Sequence, residues 1–464
     1  MSQDPLAALN NLVDEAWLVG GAVRDRALGR ATADFDVAMR GRVGEAAKGL
    51  GRAAGAFAFA LSETFGAWRV VARDRRWQLD LLPLEGDTIE EDLAHRDLTI
   101  NAIAAPLVQD GYIDPFGGLE DLRRRRLRHV REDAFRRDPL RTMRLARLAC
   151  ELDFTVTPAT LDLARASAPA LAGVAPERTF AELRRVLIAD RAPEGVRLLD
   201  RIGAAEVVLP ELTALRGVGQ SRFHHLDVFD HTLAVLSETI ALERDPSPVA
   251  GDDAAALAAE LAAPLANELT RGQALRFGAL LHDIAKPETR AVTPQGRVTF
   301  MGHDEAGAAL SVEILRRLRA SERLAEFVAA LTRHHLRLGF LVHEMPLSRR
   351  AVYDYLHVTS PVSVDVTVLS VADRLATRGD NAERAIAGHL ELARQMLGEA
   401  LDWAADPPRP PVRGDDLAQA LGIRPGPEIG GLLAELEAAS FTGEVATRED
   451  AIERARQLMA ADGQ

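Results

Sequence analysis

Asp34 and Asp36 stand two residues apart in the segment DFDVAM, whose extended pattern puts both carboxylates on one face of a strand. Paired hard oxygens at that spacing suit divalent cations such as Mg²⁺. Just upstream, the apolar run Trp17 to Val19 stops at Gly20-Gly21, where the backbone can approach a ligand closely. A helix starting at Ala22 would aim its free N–H groups over that turn, and Arg24 adds a fixed positive charge. Carboxylates for cations thus stand close in sequence to a cradle that favours anions, phosphate above all.

Further along lie other reactive types. Asp80 sits inside the β-like run Arg76 to Leu82, where an acid needs a partner; pairing with the Asp34 strand would make it a third acid at the cations. The stretch EEDLAHRDLTINAIAA offers Arg96, Asp97, Thr99 and Asn101, able to hold a sugar or a phosphate. Asp138-Pro139 reads as a helix start, with Arg141 and Arg144 following at spacings of three. Glu177 and Arg178 open another helix, PERTFAELRRVL. In the second half, His231, His282-Asp283, His303, His334-His335 and Asp373 all fall in helical contexts and can meet only if their helices share one bundle.

The order GG, RD, G, DxD resembles the nucleotidyltransferase motif of the polymerase-β superfamily, and within it the bacterial class of tRNA nucleotidyltransferases and poly(A) polymerases. The resemblance implies that Asp34 and Asp36 hold two Mg²⁺, one activating the primer 3′-hydroxyl and the other neutralising the triphosphate together with the glycine turn, Arg24 and Asp25. It implies that Arg96 and Asp97 hold the ribose, with Asn101 nearby, and that Asp138 and Arg141 read the base, supported by Arg144 and from behind by Glu177 and Arg178. Cytosine and adenine each present an amine donor beside a ring-nitrogen acceptor, so one carboxylate and one guanidinium accept both and reject G and U. Two positions depart from the family pattern: His95 replaces an arginine and Arg137 an acid. YIDPFGGLEDL matches the family's next segment, with a hinge expected at Gly117-Gly118 and at most a weak role for Asp114. The histidine segments look like the HD superfamily of metal-dependent phosphohydrolases, with His231, His282, Asp283 and Asp373 as ligands of an unidentified divalent metal and His303, His334 and His335 as extra positions.

These sites need elements to carry them. A helix is expected over 44–61, two β-runs at 68–72 and 76–82, and helical periodicity from Asp133 onward, through an alanine-rich stretch at 252–269. ADPPRPPVRGDD, from Ala405, reads as a linker. The expected fold class is α+β: a polymerase-β-like head over 1–130, a helical base-reading and tRNA-binding region over 131–215, an all-α HD bundle over 216–400, and a linker with C-terminal helices over 401–464. The chain has 464 residues, 47% apolar and 27% charged, with a net charge of −13. That charge argues against indiscriminate nucleic-acid binding, but Arg123 to Cys150 holds eleven arginines against three acids. The single cysteine, Cys150, excludes internal disulfides and disulfide-linked partners are not expected; no run of eighteen apolar residues is present. A cytoplasmic enzyme without membrane partners is expected, with tRNA, CTP and ATP as partners.

The expected activity is template-independent CCA addition. Only LLPLEGDTIE separates Asp80 from Glu91, whereas family members that add the final A carry a long flexible loop there. CC addition alone is therefore the alternative, ahead of a poly(A) polymerase or an HD phosphohydrolase.

Overall fold

The computed structural model describes residues 4–62, 66–220 and 225–462. The chain forms two compact units, Met1–Val208 and Leu209–Gln464.

The first unit is built on strands β1 (Ala16–Val19), β2 (Asp34–Met39), β3 (Phe57–Ser62), β4 (Ala67–Val71), β5 (Gln78–Pro83) and β6 (Ala104–Pro106). They make one sheet in the order β3-β4-β5-β2-β1-β6. β2 runs parallel to β5, and the other neighbours are antiparallel. One mixed sheet thus brings Asp36 opposite Val19 on one side and Asp80 on the other. Helix Val43–Ala54 packs on β3 and β4: a Cβ at Gly51 would lie 3.1 Å from Ala58 Cβ, and one at Gly44 2.9 Å from the Trp68 ring.

The helix expected over 44–61 is shorter than its alanine pattern suggests. Gly55, in the left-handed region at φ +64°, ends it, and β3 follows. The helix expected to start at Asp138-Pro139 starts instead at Arg141 and runs to Leu152; Asp138 has extended backbone and follows the short helix Ala134–Arg137. Gly117-Gly118 is a packing device more than a hinge. A Cβ on Gly118 would sit 2.1 Å from the Thr99 carbonyl oxygen, and Asp114 accepts hydrogen bonds from the Gly118 and Leu119 amides at 2.7 and 2.9 Å. Helices Arg141–Leu152, Pro176–Ile188 and Ala192–Arg201 then pack together around Cys150, whose thiol burial pushes up to about 12.

The second unit is helical. Helices Val228–Arg244, Arg271–Leu281, His303–Arg317, Glu322–His334 and Ser363–Ala376 form its bundle. The alanine-rich helix spans Ala254–Ala262 only, since Pro264 opens a short strand pair. The proline stretch after helix Ala382–Ala405 is irregular, as expected of a linker. Helices Gly414–Leu421, Pro427–Thr442 and Arg448–Asp462 bury a core of their own. They are tied to helix Arg349–Thr359 by Arg350–Glu435 at 3.1 Å and by the Tyr353 hydroxyl donating to Glu437 at 3.0 Å.

Candidate active site and a histidine-aspartate cluster

Gly20 closes β1 at φ +69°, a conformation that glycine adopts without strain. Its missing side chain leaves room for two others: a Cβ there would lie 3.1 Å from Arg96 Nη1 and 3.2 Å from Asp36 Oδ2. One residue therefore brings the acid of β2 and the arginine of the 96–97 pair to the same spot. They line a cavity of about 490 Å³ with Gly20, Gly21, Asp97, Asn101, Arg141 and Arg144.

Burial raises the Asp36 carboxyl above its ordinary range; Arg96 opposes this, while Asp80 and Asp34 add to it. A half-buried acid crowded by other acids is a fitting ligand for a cation. Asp34 is exposed, two residues along the same strand. Asp80 does lie beside Asp36, but its two oxygens are each 2.7 Å from Arg69, a partner not expected from the sequence. The hairpin register placing Arg69 opposite Asp80 was the available signal.

Arg24 is engaged locally, with Asp25 at 2.9 and 3.0 Å and with Asn101 Oδ1 at 3.0 Å. Arg96 pairs with Asp92 at 3.0 Å. Asp97 is buried and accepts from the Leu98 amide at 2.7 Å and Asn101 Nδ2 at 2.9 Å. Burial works against its charge, but Arg144 at 3.3 Å and these donors hold it below the usual carboxylate range.

Asp138 and Arg141 are close in sequence but do not share one helix face. Asp138 meets Arg178 at 3.2 Å, while Arg141 donates to the carbonyls of His95 at 2.7 Å and Ala134 at 3.1 Å. Arg178 is thus joined to the Asp138 segment, whereas Glu177 lies exposed in the first turn of its helix. Glu182 lies one turn further and binds Arg147 at 2.6 Å. Both positions that depart from the family pattern converge on Glu85, whose Oε1 is 2.6 Å from His95 Nδ1 and 3.6 Å from Arg137.

In the second unit the histidines meet around Asp283. His282 Nε2 is 3.2 Å from Asp283 Oδ2 and His231 Nε2 3.8 Å; His303 and His335 Nε2 lie 3.4 and 3.8 Å from Oδ1. Asp373 joins through His231 at 3.0 Å. His231, His282 and Asp283 form one group with metal-ligand spacing, and Asp283, His303 and His335 a second. The Nδ1 atoms of His282, His303 and His335 face the carbonyls of Ala279, Phe300 and Thr332 at 2.8, 2.7 and 2.6 Å. A carbonyl only accepts, so Nδ1 carries a proton and Nε2 points inward, the orientation that metal-binding imidazoles show.

His334 stays outside the cluster and accepts from Arg337 at 3.0 Å. Burial pushes His335 down to about 4, keeping it neutral. Burial disfavours the charge of Asp283, yet His282 and Lys286, 2.6 Å away, hold it well below the usual range. Lys286 stands three residues on from Asp283 in LLHDIAKP, a spacing that lets its ammonium reach the carboxylate. A cavity of about 800 Å³ opens onto Asp283, His303, His335 and Asp373, with Arg374 and Arg384 in its wall.

No helix among the described residues is long and apolar enough to cross a membrane. Family comparison matches residues 16–84 and 67–128 to the poly A polymerase head domain. Residues 153–215 match a probable RNA and SrmB-binding site of polymerase A, and 252–378 the HD domain. The chain is 36% identical over 444 residues to the A-adding tRNA nucleotidyltransferase of Deinococcus radiodurans, covering 94% of each. It is 36% identical to the CC-adding tRNA nucleotidyltransferase of Thermus thermophilus, covering 94% of this chain and 92% of that one. Among solved structures, a CCA-adding enzyme in apo form I aligns with a TM-score of 0.65 at 19% identity, over 98% of this chain and 92% of that chain. The chain belongs to the bacterial tRNA nucleotidyltransferase and poly(A) polymerase family, with an HD domain in its second half.

Proposed function

We propose that this enzyme adds nucleotides to the 3′ end of tRNA from CTP and ATP without a nucleic-acid template. The observation that carries this reading is the convergence of Asp36, Gly20 and Arg96 at one cavity, with Asp97, Arg141 and Arg144 across it. Asp34 and Asp36 would hold Mg²⁺, which supplies activation of the attacking 3′-hydroxyl and neutralises the triphosphate. The chain's own groups do the rest. Gly20 leaves the triphosphate space beside Asp36, and Arg96 adds positive charge there. Asp97, ionised and fixed by Arg144 and Asn101, accepts from the ribose hydroxyls. Asp138 and Arg141 supply the acceptor and donor that read the base, which requires Arg141 to turn from the His95 carbonyl toward the nucleotide. The site works in the cytoplasm, where tRNA is matured and Cys150 stays reduced.

A specific observation favours CC addition alone as a second reading. The connection from β5 to helix Ile89–Ala94 is only Leu84 to Thr88, and it is fastened. The Leu84 amide donates to Met39 O at 3.0 Å, Glu85 N to Asp92 at 3.1 Å, and Asp87 N to Glu91 at 2.6 Å. A short, pinned segment at the cavity edge has little freedom to reshape the pocket between two bases. Relatives named for A addition and for CC addition are equally similar, so the products must be measured.

The test uses tRNA transcripts ending before CCA, after C and after CC, each with CTP, ATP or both. Two cytidines and then one adenosine are expected; ATP incorporation onto the CC-ended transcript excludes CC-only addition. Long A tails on any RNA exclude the tRNA reading. Asp36→Asn is expected to abolish incorporation, and Arg141→Ala to weaken rejection of UTP and GTP by roughly 10- to 100-fold, the scale of one two-point base contact.

The Asp283 cluster is proposed as a divalent-metal centre. A phosphate-ester substrate fits its cavity, because Lys286, Arg374 and Arg384 supply positive charge beside the ligands. Hydrolysis of 2′,3′-cyclic phosphates by the metal-loaded enzyme, and its loss in His282→Ala, would establish it.

A further inference from the structure

The sheet that carries the acids continues beyond them. Across four adjacent strands, Asp34, Gln78, Val71 and Phe57 form one row of opposed residues, and Asp36, Asp80, Arg69 and Phe59 the next. Directly opposed residues project from the same side of a sheet. Phe57 and Phe59 therefore stand on the face of Asp34 and Asp36. The other face of β3 and β4 is the one covered by helix Val43–Ala54, through Ala58 and Trp68.

β3 is an edge strand, and its two phenylalanines are 58% and 47% exposed. Large apolar rings open to water on an edge strand invite unwanted association, and so call for a partner. The cavity beside them, about 680 Å³, runs from Asp34 past Arg69 to Phe57, Phe59, Arg73 and Trp77. Arg73 holds its guanidinium 5.4 Å over the Phe57 ring, and Arg75 lies exposed at the same rim. Arg69 is neutralised by Asp80, which leaves the aromatic end of this face net positive and its far end acidic.

We propose that Phe57 and Phe59 are a stacking platform for the unpaired 3′-terminal nucleotides of the RNA acceptor, delivering its end to Asp34 and Asp36. The proposal rests on the nucleotidyl-transfer reading above. Exposed aromatic rings interleaved with arginines are how proteins hold single-stranded nucleic acid, with bases on the rings and phosphates on the guanidiniums. Three strand spacings separate Asp36 from Phe59, roughly 14 Å, so the platform is within reach of the last few nucleotides when the terminal hydroxyl is at the acids. A second copy of this chain would satisfy the rings equally well, but would have no use for the arginines or for continuity with Asp34.

The test is Phe57→Ala/Phe59→Ala in the full-length enzyme. A tRNA transcript carrying 2-aminopurine at the unpaired position before the CC end reports stacking by its fluorescence. Wild-type enzyme is expected to quench the probe, and the double variant to leave it bright. The KM for the transcript should rise about 10- to 100-fold, the scale of one stacked base, with KM for CTP and melting temperature unchanged. Phe59→Tyr should restore quenching. Unchanged quenching and transcript KM in the double variant overturn the proposal, as does a variant altered only in self-association by light scattering. If wild-type enzyme extends no transcript, the proposed function fails, while quenching of the bound transcript still decides the platform.

Discussion

Asp80 stands directly opposite Asp36 across the parallel β2–β5 pair, yet both its oxygens are spent on Arg69 at 2.7 Å. The ion pair lets a third acid sit beside two others without adding its full charge. Removing either member should shift the site's affinity for cations in opposite directions. Arg69→Gln exposes the Asp80 charge, and the Mg²⁺ concentration for half-maximal incorporation should fall several-fold. Asp80→Asn leaves Arg69 uncompensated next to Asp36, and the requirement should rise by a similar factor. Mg²⁺ titrations of both variants at fixed CTP and tRNA check this; a shift in the same direction for both would show that Asp80 acts other than through charge.

Gly20 and Gly21 are neighbours with different reasons to be glycine. At Gly20, a side chain meets a positive φ and the tips of Arg96 and Asp36 at 3.1 and 3.2 Å. At Gly21 φ is ordinary for a helix and the nearest atom is Arg24 Nη2 at 3.5 Å. Gly20→Ala should therefore lose tenfold or more in kcat and about 1–3 kcal/mol of stability. Gly21→Ala should stay near wild type in both. Steady-state kinetics with a thermal melt of each variant make the comparison, and equal losses would show that the turn as a whole, not the Gly20 crowding, sets the site.

The glycine turn and the DxD pair were legible because their meaning is local: a turn, then two side chains on one face. The His-Asp segments were legible as a set for the same reason, each carrying its chemistry within a few residues. Contacts between strands were not. Arg69 gains its importance only from the β4–β5 register, and Phe57 and Phe59 lay inside a run whose alanines continued the preceding helical pattern. Asp138 looked like a cap because Asp-Pro favours one, but the chain spends two further residues before the helix begins. His95 and Arg137 looked like separate anomalies in sequence; Glu85 joins them in space.

His334 and His335 are adjacent but have opposite environments. His335 ends helix Glu322–His334 with its Nδ1 on the Thr332 carbonyl and its Nε2 toward Asp283, whereas His334 turns to Arg337. His334→Ala should keep the full metal content of the purified enzyme. His335→Ala and His303→Ala should each lower the metal content, because each removes a ligand from the group that Asp283, His303 and His335 form. Elemental analysis of the three variants after dialysis against the same divalent salt gives the stoichiometries. Equal metal in wild type and His335→Ala would show that His335 is not a metal ligand.

His389 is buried beside the cluster, with Nε2 3.2 Å from Ser370 Oγ. Burial pushes its pKa down to about 4, against the pull of Asp373. In the unfolded chain an imidazole titrates near ~6.5. Between these values the unfolded state binds a proton that the native state refuses, so stability is complete above about 6.5 and declines as pH falls toward about 4. His335 behaves the same way, whereas His282 has the opposite sign, because Asp283 overcomes burial and raises it. His389→Gln keeps a partner for Ser370 but removes the titration. Its melting temperature should fall less steeply than wild type between pH 6.5 and 4.5, by an amount equivalent to at most about 3 kcal/mol. Melting curves at half-unit pH steps decide the matter: parallel profiles for the two proteins would mean that folding does not lower the pKa of His389.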